Sequence, residues 1–186
     1  MADGMTTSIP ATNRLKIAVI ISSTREGRLG PAVAHWFLGE AATNHEVELD
    51  LVDLADGVAG FAARIADADA FVIVTPEYNH GYPAPLKEAI DASYGEWRAK
   101  PVAFVSYGGM SGGLRAVEQL RQVLAEMHAT TVRDTVSFHS VYEKFDANGP
   151  LAEFEHSAAA AKVLLDQLVW WADALREARI KRPYAA

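Results

Sequence analysis

The stretch Leu15–Ile21 (LKIAVII), followed by the loop Ser22–Gly30 (SSTREGRLG), decides the fold that we predict for this chain. Its run of apolar and β-branched residues indicates a strand that is buried on both faces. Pro31 suits the first turn of a helix, so the polar loop predicts a helix that continues to about Ala42. A buried strand, a loop and a helix in this order are typical of the start of a βαβ unit.

The same alternation continues along the chain. Four further strands are predicted at Val47–Val52, Ala70–Thr75, Pro101–Ser106 and Thr130–Phe138. The segment Val47–Val52 alternates apolar and acidic residues, which predicts a strand near the edge of the sheet. Helices are predicted at about Gly60–Ala66, Leu86–Tyr94 and Leu114–Met127, and a last long helix ends near Arg179. We therefore predict an α/β fold, a doubly wound five-stranded parallel sheet with helices on both faces.

We expect a single domain over residues 14–180, between a flexible N-terminal extension at 1–13 and a C-terminal tail at 181–186. The 186 residues are 50% hydrophobic and 22% charged, as in ordinary globular domains. With 17 basic and 24 acidic residues the net charge is −7. An acidic surface repels nucleic-acid phosphates, so we expect no nucleic-acid partner.

The chain contains no cysteine. Thiol chemistry, disulfides and thiolate metal sites are therefore excluded, and any redox function needs a bound cofactor. The first residues show neither a basic nor an apolar signal region, and no stretch reaches the length of a membrane-spanning helix. We expect a cytoplasmic protein without a membrane partner.

Three carboxylates, Asp50, Asp53 and Asp56, lie in and after the second predicted strand. Their alternating spacing in an edge strand predicts a solvated face and not a site. The histidines are scattered without metal-ligand spacing, so we predict no metal site.

In open α/β sheets, ligands bind outside the carboxyl ends of the strands. The loop after the first strand there carries three hydroxyl groups, on Ser22, Ser23 and Thr24, and two guanidinium groups, on Arg25 and Arg28. Together with the free N–H groups at the start of the next helix, these donors predict a cradle for an anion. The alternative is a capped helix start with solvated arginines. The loop matches neither a phosphate-binding P-loop nor the glycine pattern of dinucleotide folds.

The loop after the third strand begins Pro76, Glu77, Tyr78, Asn79, His80 and Gly81. Pro76 restricts one φ angle, and Asn79 and Gly81 are residues that tolerate positive φ values. Such a loop holds a backbone edge towards a planar heterocycle, while Tyr78 and His80 offer flat walls. The alternative is a tight turn without a site.

The loop after the fourth strand begins Ser106, Tyr107, Gly108 and Gly109. Two successive residues without Cβ let a ligand approach the backbone closely. The alternative is a simple helix entry in which Ser111 caps the next helix.

Together the three loops resemble those of the NAD(P)H-dependent FMN reductases of the flavodoxin-like superfamily, which include quinone, azo-dye and chromate reductases. The resemblance covers about Leu15–Leu175. The family pattern G-S-x-R-x-x-S falls on Ser22–Arg28, P-E-Y-N falls on Pro76–Asn79, and the glycine turn falls on Ser106–Gly109. Ser22 stands where the family usually has glycine, and Arg28 stands where it often has serine.

This resemblance implies the sheet order 2-1-3-4-5, with FMN at the point where the order reverses. Ser23 and Arg25 would hold the phosphate. Pro76–Asn79 would line the ring, and Ser106–Gly109 would border its pyrimidine side. The resemblance also implies a homodimer built by the helices after the third and fourth strands. A homotetramer of two such dimers is an alternative assembly.

The resulting hypothesis is a ping-pong reaction in which NADPH or NADH reduces FMN, and a small-molecule acceptor then reoxidises it. The acceptor would be a flavin, a quinone, an azo compound or a metal oxyanion. The flavin carries the chemistry, so we assign no catalytic side chain. We expect the N–H groups of Gly108 and Gly109 to stabilise negative charge on the reduced ring.

Two alternatives remain open. An acidic flavodoxin-like domain is also typical of an FMN electron carrier without NAD(P)H turnover. The segment Gly109-Met110-Ser111-Gly112-Gly113 matches the G-x-S-x-G pattern of serine hydrolases. Asp134 and then His139 or His156 follow in the chain order that such a hydrolase requires.

Overall fold

Five parallel strands form the central sheet of the computed structural model, which describes residues 14–185. The strands are β1 (Leu15–Ile21), β2 (Val47–Asp53), β3 (Ala70–Pro76), β4 (Pro101–Tyr107) and β5 (Thr130–Phe138). Their order is β2-β1-β3-β4-β5, and every neighbouring pair is parallel. The predicted strand order is confirmed, and each strand lies within one residue of its predicted bounds.

Helices cover both faces of this sheet. They are α1 (Gly30–Ala41), α2 (Phe61–Asp67), α3 (Ala84–Asp91), α4 (Leu114–Glu126) and α5 (Glu155–Lys181). Side chains of β1 alternate between two apolar clusters, because successive residues of a strand point to opposite faces. Ile17 and Val19 pack in the cluster with α1 and α5, and Ala18 and Ile20 pack in the cluster with α2, α3 and α4. Burial on both faces explains the nearly continuous apolar runs in the inner strands.

The segment between β5 and α5 contains a small antiparallel ladder. Its strands are β6 (Phe145–Asp146) and β7 (Gly149–Pro150). The carboxylate of Asp146 accepts hydrogen bonds from two backbone N–H groups of the turn, at 2.7 and 3.2 Å. The ring of Phe145 packs edge-on against Phe138, with 4.9 Å between centroids. This contact fixes the segment over the end of β5.

Both bounds of helix α3 and the end of helix α5 differ from the prediction by two residues or more. Helix α3 begins at Ala84 and ends at Asp91, and a separate 3₁₀ turn follows at Gly95–Trp97. Helix α5 continues through Lys181, into the predicted tail. The predicted extension at 1–13 lies outside the described residues, so the domain boundaries stay a prediction. Within residues 14–185, no helix combines the length and apolar character needed to cross a membrane.

Candidate functional site

A cleft of about 310 Å³ opens at the carboxyl ends of the strands. Nine of the predicted site residues line it, namely Arg25, Arg28, Pro76, Glu77, Tyr78, Asn79, Tyr107, Gly108 and Gly109. Larger grooves of about 770 and 610 Å³ run along α5, away from these strand ends. The cleft is therefore the hollow that the predicted loops share.

The first loop, residues 22–29, begins with two buried serines, and its later residues line the cleft. Ser22 donates its backbone N–H to Val74 at 3.0 Å, and the hydroxyl of Ser23 lies 3.1 Å from that of Tyr107. The hydroxyl of Ser22 is buried and has no hydrogen-bond partner in the described part of the chain. Helix α1 begins close to this pair, because a Cβ added to Gly30 would lie only 2.6 Å from the Ser23 hydroxyl. Thr24 is exposed beside the cleft.

Arg28 is held by an ion pair with Asp53 at the end of β2. Its two terminal nitrogens donate to the two carboxylate oxygens at 2.5 and 2.7 Å, and one of them also donates to the carbonyl of Ser23 at 2.6 Å. Burial alone would raise the pKa of Asp53, but hydrogen bonds from Arg28 and Ala55 lower this pKa below its usual value. The prediction that Asp53 belongs to a solvated face is therefore wrong. Arg28 as a ligand contact stays a prediction.

Arg25 lies over the ring of Tyr78, with its guanidinium carbon 3.5 Å from the ring centroid. This is the geometry of a cation–π contact. Within residues 14–185, Arg25 makes no ion pair. Its charge is therefore open to a ligand in the cleft.

The loop after β3 forms a two-residue hairpin. Tyr78 and Gly81 exchange backbone hydrogen bonds at 2.8 and 3.0 Å, and the central residues Asn79 and His80 have φ values of 51° and 71°. Positive φ at both central residues defines a type I′ turn. Of the two residues that tolerate positive φ, Asn79 adopts it. Gly81 does not, because it closes the hairpin and His80 takes the second central position.

Helix α4 holds this hairpin through Glu77 and His80. The buried carboxylate of Glu77 accepts hydrogen bonds from the backbone N–H and the Nε of Arg115, at 3.1 and 2.6 Å. Gln119 donates to the carbonyl of His80 at 3.0 Å. Burial raises the pKa of Glu77, but hydrogen bonds from Ser111 and Arg115 outweigh burial and lower it. Glu77 is thus an ionised, paired carboxylate.

The glycine loop after β4 is attached to the segment after β5. Gly108 donates its N–H to Phe138 at 3.1 Å, and the carbonyls of Gly108 and Gly109 accept from Val141 and Ser140 at 2.9 Å. The expectation that both glycine N–H groups face a ligand is therefore wrong for Gly108. The N–H of Gly109 has no partner among residues 14–185, and a Cβ added there would meet nothing within 4 Å.

Ser106 and Tyr107 are buried under this loop. The Ser106 hydroxyl donates to the carbonyl of Gly112 at 2.8 Å, so it supports the loop instead of lining the cleft. Burial raises the pKa of the Tyr107 phenol far above its usual value. Tyr107 therefore remains protonated at neutral pH.

Tyr142 and Val141 also line the cleft, and the sequence analysis did not identify them. They belong to a 3₁₀ turn, Val141–Glu143, after β5. No motif marks this turn. Its one signal is its position just beyond the carboxyl end of the fifth strand.

The arrangement of a serine hydrolase is not formed. The Ser111 hydroxyl interacts with Glu77, and the Nδ1–H of His139 donates to the carbonyl of Met110 at 2.6 Å. Asp134 pairs with Arg133 at 2.6 Å. Among the residues that the structure describes, no hydrogen bond links Ser111, a histidine and Asp134 into a triad. The G-x-S-x-G match is therefore explained by the glycine loop and not by a nucleophile.

The strand order and the position of the cleft define a flavodoxin-like protein. An archaeal flavodoxin has the same fold, with a TM-score of 0.60 at 16% identity, over 87% of this chain and 99% of that one. The sequence profile of the NADPH-dependent FMN reductase family matches residues 15–143. The chain therefore belongs to that family, and the predicted family and fold class are confirmed.

Individual relatives agree with this assignment. An NAD(P)H-dependent FMN reductase of Schizosaccharomyces pombe is 40% identical over 130 residues, which cover 58% of this chain and 64% of that protein. A probable NADPH:quinone oxidoreductase of Oryza sativa is 36% identical, over 61% of this chain and 64% of that one. These matches thus span somewhat less than two thirds of either relative. The flavoenzyme FerB of Paracoccus denitrificans, an NAD(P)H:(acceptor) oxidoreductase, has a TM-score of 0.68 at 25% identity, over 86% of this chain and 98% of that one.

The residues at the cleft fit FMN. Arg25 supplies an open positive charge for a phosphate, and the hairpin supplies a rigid edge for a flat ring. The N–H of Gly109 has no acceptor among the described residues, and Gly109 has no Cβ that would keep a ring with hydrogen-bond acceptors away from its backbone. The cleft lies at the lower end of the volumes that are typical of ligand sites.

Proposed function

We propose that this chain is an FMN-dependent oxidoreductase that takes hydride from NADPH or NADH and passes it to a small-molecule acceptor. One observation carries the proposal. In a member of the FMN reductase family, the cleft at the strand ends leaves the Arg25 charge without an ion pair and the Gly109 N–H without a hydrogen-bond acceptor among residues 14–185. A cation and a backbone donor left open in the same cleft are the groups that an anionic, acceptor-rich cofactor requires.

Within this proposal, the first loop binds the phosphate. Ser22, Ser23 and Thr24 offer hydroxyl groups, and Arg25 offers charge. Arg28 uses three of its five N–H donors on Asp53 and Ser23, so two remain for a ligand. Its ion pair keeps the loop in shape even when these two donors are unused.

The other two loops position the ring. The hairpin, with Pro76 and Tyr78, forms one wall, and its attachment to α4 through Glu77 limits its movement. The N–H of Gly109 would donate to the edge of the ring that becomes more negative on reduction. His80 lies at the exposed tip of the hairpin, where an acceptor would approach.

The bound FMN would supply the hydride chemistry, since it can accept hydride from a nicotinamide and return it to an acceptor. This chain's side chains need not transfer a proton. Glu77 is held as a paired carboxylate, and burial keeps Tyr107 protonated. Their contribution is to orient the ring and to leave one of its faces open.

Quinones are the acceptor class that we favour. The Oryza sativa relative carries a quinone oxidoreductase name, and a 2-hydroxy-1,4-benzoquinone reductase of a Burkholderia species is 29% identical over 84% of this chain and 96% of that protein. A flat quinone can occupy the same face as the nicotinamide, which is the reason for proposing the ping-pong order. Flavins, azo compounds and metal oxyanions are further candidates for the same face.

The test is to measure flavin binding and turnover on the purified protein. We expect it to bind FMN and to oxidise NADPH or NADH when a benzoquinone is added. Plots of rate against both substrates should give the parallel lines of a ping-pong reaction. FMN binding without nicotinamide oxidation would contradict the proposal and favour an electron carrier, and failure to bind FMN would contradict both.

We also propose a homodimer built by α3 and α4, or a homotetramer of two such dimers. An exposed apolar side chain, that of Leu114, lies at the start of α4. Sedimentation of the purified protein should give twice or four times the chain mass of 20.1 kDa. A single chain mass at micromolar concentration would contradict this. The cytoplasmic location inferred from the sequence stays a prediction.

A further inference from the structure

Tyr142 is a strongly exposed aromatic residue that lines the cleft but lies outside the three predicted loops. It is 79% exposed, although its neighbour Val141 is buried. The turn that carries it is fixed by hydrogen bonds from Val141 to Gly108 and from Ser140 to Gly109, both at 2.9 Å. Its position is therefore set by the same glycine loop that lines the cleft. An exposed side chain on a fixed turn is well placed to meet a ligand.

The positive charge that is available in the cleft is too small to balance a bound phosphate. The charge of Arg28 is compensated by Asp53, and that of Glu77 by Arg115. Among the described residues that line the cleft, Arg25 is thus the one charged group without an ion pair. A phosphate monoester carries a charge of about −1.5 to −2 at pH 7. On a chain with a net charge of −7, one guanidinium does not balance it, so neutral donors must contribute.

Phenol hydroxyls are the neutral donors gathered at the end of the cleft near the first loop. The Tyr107 hydroxyl lies 3.1 Å from that of Ser23, and the Tyr78 ring lies under Arg25. Tyr142 lines the cleft together with Arg25 and Arg28. It also lies within electrostatic range of both other phenols, since its negative form would raise the pKa of Tyr78 and of Tyr107. The Tyr142 hydroxyl therefore belongs to the polar end of the cleft.

We propose that the hydroxyl of Tyr142 donates a hydrogen bond to the phosphate of FMN. This inference rests on the proposed function, and it assigns a cofactor-binding residue outside the three loops. A phenol on the turn after β5 would close the phosphate site from the side opposite the first loop. Tyr107 is buried and already paired with Ser23, and the Tyr78 hydroxyl also interacts with Ser23. Tyr142 is therefore the phenol that is free to donate.

The test compares FMN with riboflavin, which lacks the phosphate. The full-length protein is freed of flavin, and both ligands are titrated at pH 7 by the quenching of flavin fluorescence. The variant Tyr142→Phe keeps the ring and removes only the hydroxyl. We expect it to raise the Kd for FMN about tenfold, which corresponds to about 1.4 kcal/mol, and to leave the Kd for riboflavin unchanged.

The matched control is Tyr94→Phe. Tyr94 is also exposed, at 46%, but it lies outside the cleft, near His128 and Arg98. This variant should bind both flavins as the wild-type protein does.

Two results would overturn the inference while the proposed function stands. One is an unchanged FMN affinity in Tyr142→Phe. The other is an equal loss of affinity for FMN and riboflavin, because this would mean that Tyr142 contacts the ring or supports the turn. If the wild-type protein binds neither flavin, the proposed function itself fails, and the inference fails with it.

Discussion

The two ends of the parallel sheet differ in whether the protein itself supplies partners for their charged and polar donors. At the amino end, the buried ammonium of Lys100 donates to the carbonyls of Ile65 and Ala66, both at 2.8 Å. Arg179 donates there to the carbonyl of Ala99 at 2.6 Å and to Asp69 at 3.2 Å. At the carboxyl end, by contrast, residues 14–185 provide no ion pair for Arg25 and no acceptor for the N–H of Gly109.

This difference separates the groups that hold the fold from those that can hold a ligand. A buried donor that the protein itself satisfies contributes to stability, and its removal leaves its acceptors unpaired. An exposed donor without a protein partner binds water, and a ligand that binds there replaces this water. We therefore expect substitutions at the amino end to change the free energy of unfolding, and substitutions at the open groups of the carboxyl end to change the affinity for FMN.

The largest effect is expected for Lys100→Ala. Lys100 is 7% exposed, and its loss leaves two carbonyls at the end of α2 without a donor. We expect the free energy of unfolding in urea to fall by about 3 kcal/mol, while the Kd for FMN stays unchanged. The control is Lys162→Ala, on an exposed helix pair with Asp166, with an expected change below about 0.5 kcal/mol. If Lys100→Ala changed the Kd for FMN without lowering stability, the assignment of the amino end to stability and of the carboxyl end to binding would be contradicted.

The same lysine should make stability depend on alkaline pH. Burial lowers the pKa of Lys100 from 10.5 to about 8. Between these values the unfolded chain binds a proton that the folded chain does not, so the stability of the folded state increases as the pH rises. From pH 8 to pH 10, the stability difference between the wild-type protein and Lys100→Ala should widen by about 2 kcal/mol. A constant difference in urea titrations over this range would contradict the assigned environment of Lys100.

Gly109 and Gly113, in the loop after β4, allow stability and FMN binding to be compared within the carboxyl end of the sheet. A Cβ added to Gly113, whose φ is +88°, would lie 2.7 Å from the Cβ of Ser106. We expect Gly113→Ala to lower the free energy of unfolding by about 2 kcal/mol or more. Gly109→Ala should change stability by less than about 0.5 kcal/mol, but its Cβ would point into the open cleft and weaken FMN binding about fivefold. Urea unfolding and FMN titration of both variants would show whether Gly113→Ala mainly lowers stability and Gly109→Ala mainly lowers the affinity for FMN.

The smallest effect that we predict is for Arg25→Ala. Removal of one charged contact to the phosphate should raise the Kd for FMN about threefold, since the exposed guanidinium is partly screened by solvent. Its stability should change little. Arg133→Ala, with a side chain that is 89% exposed on the outside of β5, serves as the charge-matched control and should leave the Kd unchanged. Equal Kd values for Arg25→Ala and the control would remove Arg25 from the phosphate site.

The features that the sequence predicted correctly are those carried by neighbouring residues. The apolar runs of β1, β3 and β4 show burial on both faces, and the three loops are contiguous motifs. The missed features depend on contacts between distant segments. Arg28 and Asp53 lie 25 residues apart, and they meet because β2 pairs with β1.

The partner of the Gly108 N–H could not be predicted for a similar reason. It depends on the register of β4 against β5, which shifts between Val102 and Phe104. Tyr142 lies at the cleft because its turn hydrogen-bonds back to the glycine loop, and no spacing along the chain encodes that contact. The position of His80 in the turn follows from the hairpin closing at Gly81, which fixes where positive φ falls.

A crystal structure of the protein with FMN would test the central claim most directly. The account predicts that the phosphate lies within hydrogen-bond distance of the first loop and that the ring lies between the hairpin and Gly109. Flavin bound instead in the groove along α5, near His128 and Tyr184 at the amino end of the sheet, would contradict it.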